Sequence, residues 1–179
     1  MARQGCLATT ASRYLNLLEE VFLIKRIPAW SRNLSNRAIR TAKVAFVDSG
    51  IAAYLLGADA RGLVRPGGTV RPPLMEGFVL MELARQLTWT EEQVDLYHYR
   101  TKDKVEVDAV LENRRGQVVG IEVKAASTVR PDDFRGLRHL ADRLGDDFIA
   151  GIVLHTGTQT LPFGDRMRAM PVSALWEIG

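Results

Sequence analysis

Cysteine is nearly absent. Cys6 is the only one among 179 residues, so no disulfide can staple the chain internally, and a reducing compartment is expected. Histidine is scarce too. His98, His139 and His155 lie far apart in sequence, without the spacing of a zinc site, and each is expected to serve packing; His98 alone lies where it can approach a site from the sheet edge. No apolar run approaches the roughly 20 residues of a membrane span. The N-terminus carries Arg3 but no continuous apolar signal region. A cytoplasmic protein that does not enter the membrane is therefore the expectation. No Gly-x-x-x-x-Gly-Lys-Ser/Thr phosphate loop occurs, which excludes ATP binding by that route. Internal repeats and low-complexity segments are also missing.

What is present suffices for a globular core: 46% of residues are apolar and 25% charged. The net charge of +3 is unevenly spread. Residues 1–43 hold eight Lys or Arg against Glu19 and Glu20, whereas acidic residues outnumber basic ones afterwards. A basic first portion suggests either an anionic partner or simply a solvated surface.

The chain is punctuated by Gly and Pro. Thr10 to Ile24 has helical spacing of Tyr14, Leu15, Leu17, Leu18, Val21 and Phe22, with Thr10 or Ser12 as the cap. An extended stretch follows from Leu23 to Trp30, then a basic loop from Arg32 to Arg40. Lys43 to Val47 reads as a strand, and Asp48 caps a short helix through Leu56 that Gly57 stops. Gly57 to Pro73 is rich in breakers and marks a boundary. The expected division is 1–57, a linker at 58–73, and a domain at 74–179. The second part reads as a helix from Leu74 to Leu87, with Phe78, Val79, Met81, Leu83 and Leu87 as core candidates. Strands follow at Val94–Arg100, Lys104–Leu111 and Val118–Ala125, with a turn at Asn113–Gly116. A helix over Pro131–Leu144, a strand over Phe148–Leu154 and a short element around Trp176 complete it. Helix, three strands, helix, strand predicts an α/β fold with a mixed sheet flanked by helices.

Two strands carry the chemistry. Side chains alternate faces along a strand. Alternation sets Glu106 and Asp108 opposite the apolar odd positions of one strand, and Gly120, Glu122 and Lys124 opposite those of the next. If the hairpin aligns them, Asp108, Glu122 and Lys124 share one side. Mg²⁺ needs only one or two carboxylates besides water, and a lysine alongside can orient water or stabilise charge on a phosphoryl group. Glu76 or Glu82 on the preceding helix can add a carboxylate. From Glu122-Val123-Lys124 alone, a solvated sheet face is the simpler explanation. The added Asp108, the single tight hairpin and the flanking helices shift the balance. Arg100, Lys102 and Lys104, next to the site strand, are candidate phosphate contacts.

That order of elements, with Asp108 on one strand and Glu122-Val123-Lys124 on the next, resembles the PD-(D/E)xK restriction-endonuclease-like superfamily. Leu74 to Leu83, Glu106 to Leu111 and Ile121 to Lys124 look most like an uncharacterised domain found C-terminal to many prokaryotic AAA+ ATPases. So do Arg13 to Glu19 and Lys43 to Gly50. The resemblance covers nearly the whole chain. It implies a restriction-endonuclease-like core, preceded by a partial winged-helix segment from Thr10 to about Val47. It also implies Mg²⁺ or Mn²⁺ held by Glu76, Asp108 and Glu122, with Lys124 as the catalytic lysine and DNA as the substrate.

Two departures stand out. Val107 occupies the position before Asp108 where the superfamily motif has proline, and an ATPase module is not encoded in these residues. The readings that follow are a metal-dependent DNA nuclease domain, or an inactive DNA- or protein-binding module coupled to an ATPase. A regulatory fragment that forms a homo-oligomer through exposed apolar surface is a third.

Overall fold

The structure, a computed structural model, describes residues 2–32, 41–58 and 71–177. Helix α1 (Ala2–Glu20) leads into an antiparallel pair, β1 (Ile24–Ile27) and β2 (Lys43–Phe46), in which Ile27 faces Lys43. A short α2 (Ser49–Leu55) and a long α3 (Arg71–Gln86) follow. The main sheet has six strands: β3 (Val94–Arg100), β4 (Glu106–Asn113), β5 (Val118–Lys124), β6 (Phe148–His155), β7 (Leu161–Pro162) and β8 (Met167–Pro171), in the order β3-β4-β5-β6-β8-β7. Pairing is antiparallel from β3 to β5, parallel from β5 through β6 to β8, and antiparallel again at β7. The parallel step from β5 to β6 needs a crossover, and α4 (Arg135–Leu144) supplies it.

One helix covers each face of the central strands. On one side Val79, Leu80, Met81 and Leu83 of α3 pack with Ala109, Ile121 and Leu154 of the sheet, and with Ile27 and Ala45 of the β1–β2 pair. On the other, Phe134, Leu137, Leu140 and Leu144 pack with Val107, Val110, Val118, Phe148 and Val153. Gly136 permits close approach of α4, because a Cβ there would lie 2.0 Å from the Glu106 carbonyl oxygen.

Local signals place several elements well. The Asp48 carboxylate accepts N–H bonds from Gly50 and Ile51, capping α2, and Gly57 takes a left-handed conformation beyond its end. Asn113 Oδ1 accepts from the Arg115 and Gln117 N–H groups, and Gly116 takes φ +78°, which closes the β4–β5 hairpin.

Other expectations need correction. Helix α1 begins before Thr10 and Ser12, which are interior rather than caps, because Ala2 to Thr9 continues the helix. Apolar Tyr14 and Leu17 of this helix, and Val21 just beyond its end, face solvent. Helix α3 starts at Arg71, so Pro72 and Pro73 sit in its first turn, where a missing N–H costs little. Lys104 precedes β4 in a left-handed conformation, φ 60°. Pro131 to Phe134 forms a separate 3-10 turn ahead of α4. Strands β7 and β8 were not foreseen as two strands. The loop expected over 32–40 and the boundary over 57–73 lie largely outside the described residues.

Candidate active site

The site forms where β4 and β5 part. Their ladder runs from Glu112↔Val118 to Ala109↔Ile121 and ends there. Beyond that point β4 stays with β3, where Tyr99 faces Val107, and β5 stays with β6, where Glu122 faces Val153. The gap is bridged by a side chain: Asp108 Oδ2 accepts the Val123 N–H at 2.9 Å.

A bulge aims Asp108. Tyr97 pairs with Val110 and Tyr99 with Val107, so the single residue His98 faces two, Asp108 and Ala109. Bulges of this kind turn a side chain to the other face and recur beside active sites. Simple alternation would keep Asp108 on the side of Val110. In the structure Val110 joins Val107 against α4, while Asp108 meets residues of α3 and β2. On β5 simple alternation holds, with Gly120, Glu122 and Lys124 on one face as expected, but that face is the α4 side. A Cβ on Gly120 would meet Leu137, and Lys124 lies 3.8 Å from Asp133 just ahead of α4. Asp108 thus reaches the site from the α3 side, and Glu122 and Lys124 from the α4 side.

Glu76 projects from α3. It pairs with the Lys43 ammonium, which also donates to Asp108 Oδ1 at 3.2 Å. Lys43, on β2, is the site residue that the sequence reading missed. The signal was there in its position at the head of the Lys43–Phe46 strand, where it shares a face with the buried Ala45. Thr41, two residues before it, is held at its carbonyl by the His98 ring at 3.2 Å. His98 therefore steadies the segment that delivers Lys43, and burial pulls its pKa below the ordinary histidine value. Glu82, the other acidic candidate on α3, pairs with Arg85 and accepts from Trp176 Nε1 at 3.0 Å. It ties the C-terminal turn to α3 and stays away from the cluster.

Lys124 Nζ donates to Glu122 Oε1 at 3.0 Å. Glu122 Oε2 is buried and has no hydrogen-bond partner among the described residues. Burial, reinforced by the negative charge of Asp108, pushes Glu122 up to about 7. Glu76 is raised as well, by burial first and then by Asp108. Burial opposes the charge on Lys124, but Glu122 outweighs it with help from Asp133 and Asp108, so its pKa lies above the ordinary lysine value. Lys124 is therefore a fixed cation at neutral pH, and three carboxylates, Glu76, Asp108 and Glu122, face two ammonium groups.

These donors fit a hard divalent ion in kind: carboxylate oxygens, one of them buried and unpartnered. They are not gathered around a common point. Among the described residues no group of three or more His, Cys, Asp or Glu is positioned to hold a metal ion, and the Lys43 ammonium lies between Glu76 and Asp108. Of the candidate phosphate contacts, Arg100 pairs with Glu106 at 2.9 Å, while Lys102 and Lys104 are exposed on the turn entering β4. An open apolar groove of about 420 Å³, lined by β2, α2 and α3, reaches the cluster only at Lys43 and Glu76. No helix among the described residues is long and apolar enough to cross a membrane.

Residues 72–175 match a family model described as a domain of unknown function (DUF4143), and residues 2–62 match a second, also a domain of unknown function (DUF8612). The uncharacterised proteins Mb2031c of Mycobacterium bovis and Rv2008c of Mycobacterium tuberculosis are each 31% identical over 172 residues. The match takes in 96% of this chain and 36% of each relative, so the chain spans about a third of their length. The first match covers more than half of the chain, which belongs to the DUF4143 family.

Proposed function

We propose that this DUF4143 domain is a metal-dependent nuclease that hydrolyses phosphodiesters in DNA, built on a restriction-endonuclease-like core of the PD-(D/E)xK type. One observation carries the reading. Where β4 and β5 part, a bulge turns Asp108 into the gap, and Glu122 keeps a buried oxygen without a partner among the described residues, beside the Lys124 ammonium. A solvated sheet face has no use for such an oxygen, because leaving a buried acceptor unpaired costs about 1–3 kcal/mol. An oxygen-seeking cation would supply the missing partner.

Asp108 and Glu122 would hold the Mg²⁺ or Mn²⁺ ion, with Glu76 as a third carboxylate. Bound there, such an ion polarises a phosphoryl oxygen and lowers the pKa of a water molecule. The chain's own residues do the rest. The Val123 N–H fixes the orientation of Asp108. Lys124, kept protonated by Glu122, presents positive charge to the negative charge that grows on the phosphoryl oxygens. In this arrangement it is an electrostatic partner and not a base. Exposed Lys102 and Lys104, with Arg100 shared with Glu106, supply contacts to the phosphate backbone.

The N-terminal part fits a partial winged-helix segment, since α1 is followed by the antiparallel β1–β2 pair. Separate family matches at 2–62 and 72–175 support a division around the 58–73 linker. The greater length of the mycobacterial relatives leaves room for an AAA+ ATPase module, with this domain as the C-terminal part of such a protein in the cytoplasm. Exposed Tyr14, Phe22, Tyr54 and Leu55 offer apolar surface for that module or for a second copy in a homo-oligomer.

A second reading rests on Lys43. Its ammonium already neutralises Glu76 and Asp108, as suits an inactive DNA- or protein-binding module coupled to an ATPase. Cleavage of plasmid and single-stranded DNA in Mg²⁺ or Mn²⁺, compared between wild type and the Asp108 and Lys124 variants, separates the two.

A further inference from the structure

The cluster contains a cation of its own. Lys43 reaches Glu76 on α3 and Asp108 on β4, two residues that are 33 and 65 positions away in sequence. Neither contact is a solvated surface pair. Asp108 is buried, and the side chains of Lys43 and Glu76 are 26% and 30% exposed. The strand that carries Lys43 is fastened from two sides. Ile27↔Lys43 is a pair of the β1–β2 ladder, and the His98 ring holds the Thr41 carbonyl. The segment before β1's partner strand is tied to the main sheet as well, through Trp30 N–H to the His98 carbonyl and His98 N–H to the Pro28 carbonyl. The ammonium is thus delivered by the N-terminal part of the chain to the carboxylates of the DUF4143 domain.

We propose that Lys43 is a tethered cation that occupies the place of a divalent ion between Glu76 and Asp108 and is displaced when the ion binds. The inference rests on the metal-site reading above. It follows from charge and geometry. An ammonium and a hard divalent ion seek the same carboxylate oxygens: Lys43 holds Glu76 Oε1 and Asp108 Oδ1, and Val123 N–H holds Asp108 Oδ2, so an ion that takes Asp108 Oδ1 or Glu76 Oε1 must displace the ammonium from it. Glu122 is different: its buried Oε2 has no hydrogen-bond partner among the described residues. An ion therefore enters from the Glu122 side and gains Glu76 and its share of Asp108 only as Lys43 withdraws. Withdrawal loosens the contact of β2 with α3 and couples occupancy of the site to the N-terminal segment. Apo protein is held in a closed, charge-compensated form without any metal.

Mn²⁺ binding to the full chain, followed by loss of the free-ion EPR signal, tests this. Lys43→Met and Lys43→Gln should bind Mn²⁺ at least about tenfold more tightly than wild type, because a close competing charge is gone. Lys43→Arg, which keeps the charge, and Arg114→Met, which removes an equal charge from the exposed β4–β5 turn, should stay within about twofold of wild type. In the wild type itself, Mg²⁺ should shift the NMR signals of the Lys43 ε-methylene toward those of a free lysine, a readout that needs no variant. Equal Mn²⁺ affinity in wild type and both neutral variants, or Glu122 signals that respond to Mg²⁺ while those of Lys43 do not, would overturn the proposal and leave the metal site standing. Absence of any Mn²⁺ binding that Asp108→Asn abolishes would overturn the proposal together with the metal-site reading.

Discussion

Asp108 and Val123 meet through a side chain where their two strands would otherwise meet through their backbones. The Asp108 carboxylate accepts the Val123 N–H at 2.9 Å, one residue beyond the last β4–β5 pair on β4 and two beyond it on β5. Asp108 therefore has a structural duty, completing a broken ladder, in addition to the duty proposed for it in chemistry.

The two duties separate under substitution. Asp108→Asn keeps an acceptor for Val123 N–H. It loses the ion pair with Lys43 but also relieves repulsion of Glu76 and Glu122, so metal-free stability should stay within about 1 kcal/mol of wild type. Asp108→Ala leaves Val123 N–H without its acceptor and should be less stable than Asp108→Asn by about 1–3 kcal/mol. Urea denaturation of the metal-free proteins checks the ordering. Equal stabilities would show that the N–H bond to Asp108 contributes nothing.

His98 makes the docking of the N-terminal segment sensitive to pH. Burial depresses its pKa in the folded chain below the value of about 6.5 that it has when unfolded. The unfolded state then binds the proton more readily. The contribution of His98 to stability is fully present above about pH 6.5 and is lost as pH falls through the depressed folded pKa. Histidine NMR titration should find His98 titrating below the ordinary range, and His98→Gln should flatten the stability–pH curve on the acid side of 6.5. A normal pKa at His98 would contradict its burial against Thr41.

Lys102 and Lys104 stand exposed on the turn that enters β4. If they contact the phosphate backbone, replacing both with Ala should weaken DNA binding and lower the slope of log K against log[salt] by about 2. Fluorescence anisotropy across a salt series reads this directly. An unchanged slope would remove this turn from the DNA-facing surface. Arg100 should matter less, since Glu106 already holds it.

How much of this was legible in the sequence depends on the range of the interaction. The Asp48 cap and the Asn113–Gly116 turn were readable because each is decided within a few residues. The helix–strand order came from apolar periodicity. Asp108, Glu122 and Lys124 were recognisable as residue types, and alternation rightly put Glu122 and Lys124 on one face of β5, but it wrongly put Asp108 on their side. The bulge opposite His98 depends on the register between strands, which no single strand encodes. Lys43 escaped notice for the same reason at longer range, since both of its partners lie on other elements. The exposure of the apolar side of α1 was not legible, because periodicity reports that a face is apolar and is silent on what covers it.

The account turns on whether the cleft between β4 and β5 performs chemistry, and one paired measurement tests that most directly. DNA binding by anisotropy and DNA cleavage in Mg²⁺ or Mn²⁺ are followed on the same preparations of wild type, Asp108→Asn and Lys124→Ala. The account predicts metal-dependent cleavage by wild type and a loss of about a hundredfold or more in each variant, while binding changes by less than about threefold because the phosphate contacts lie elsewhere. DNA binding by wild type with no cleavage above the variants, on plasmid or single-stranded substrate, would contradict it and assign the domain to the binding-module reading.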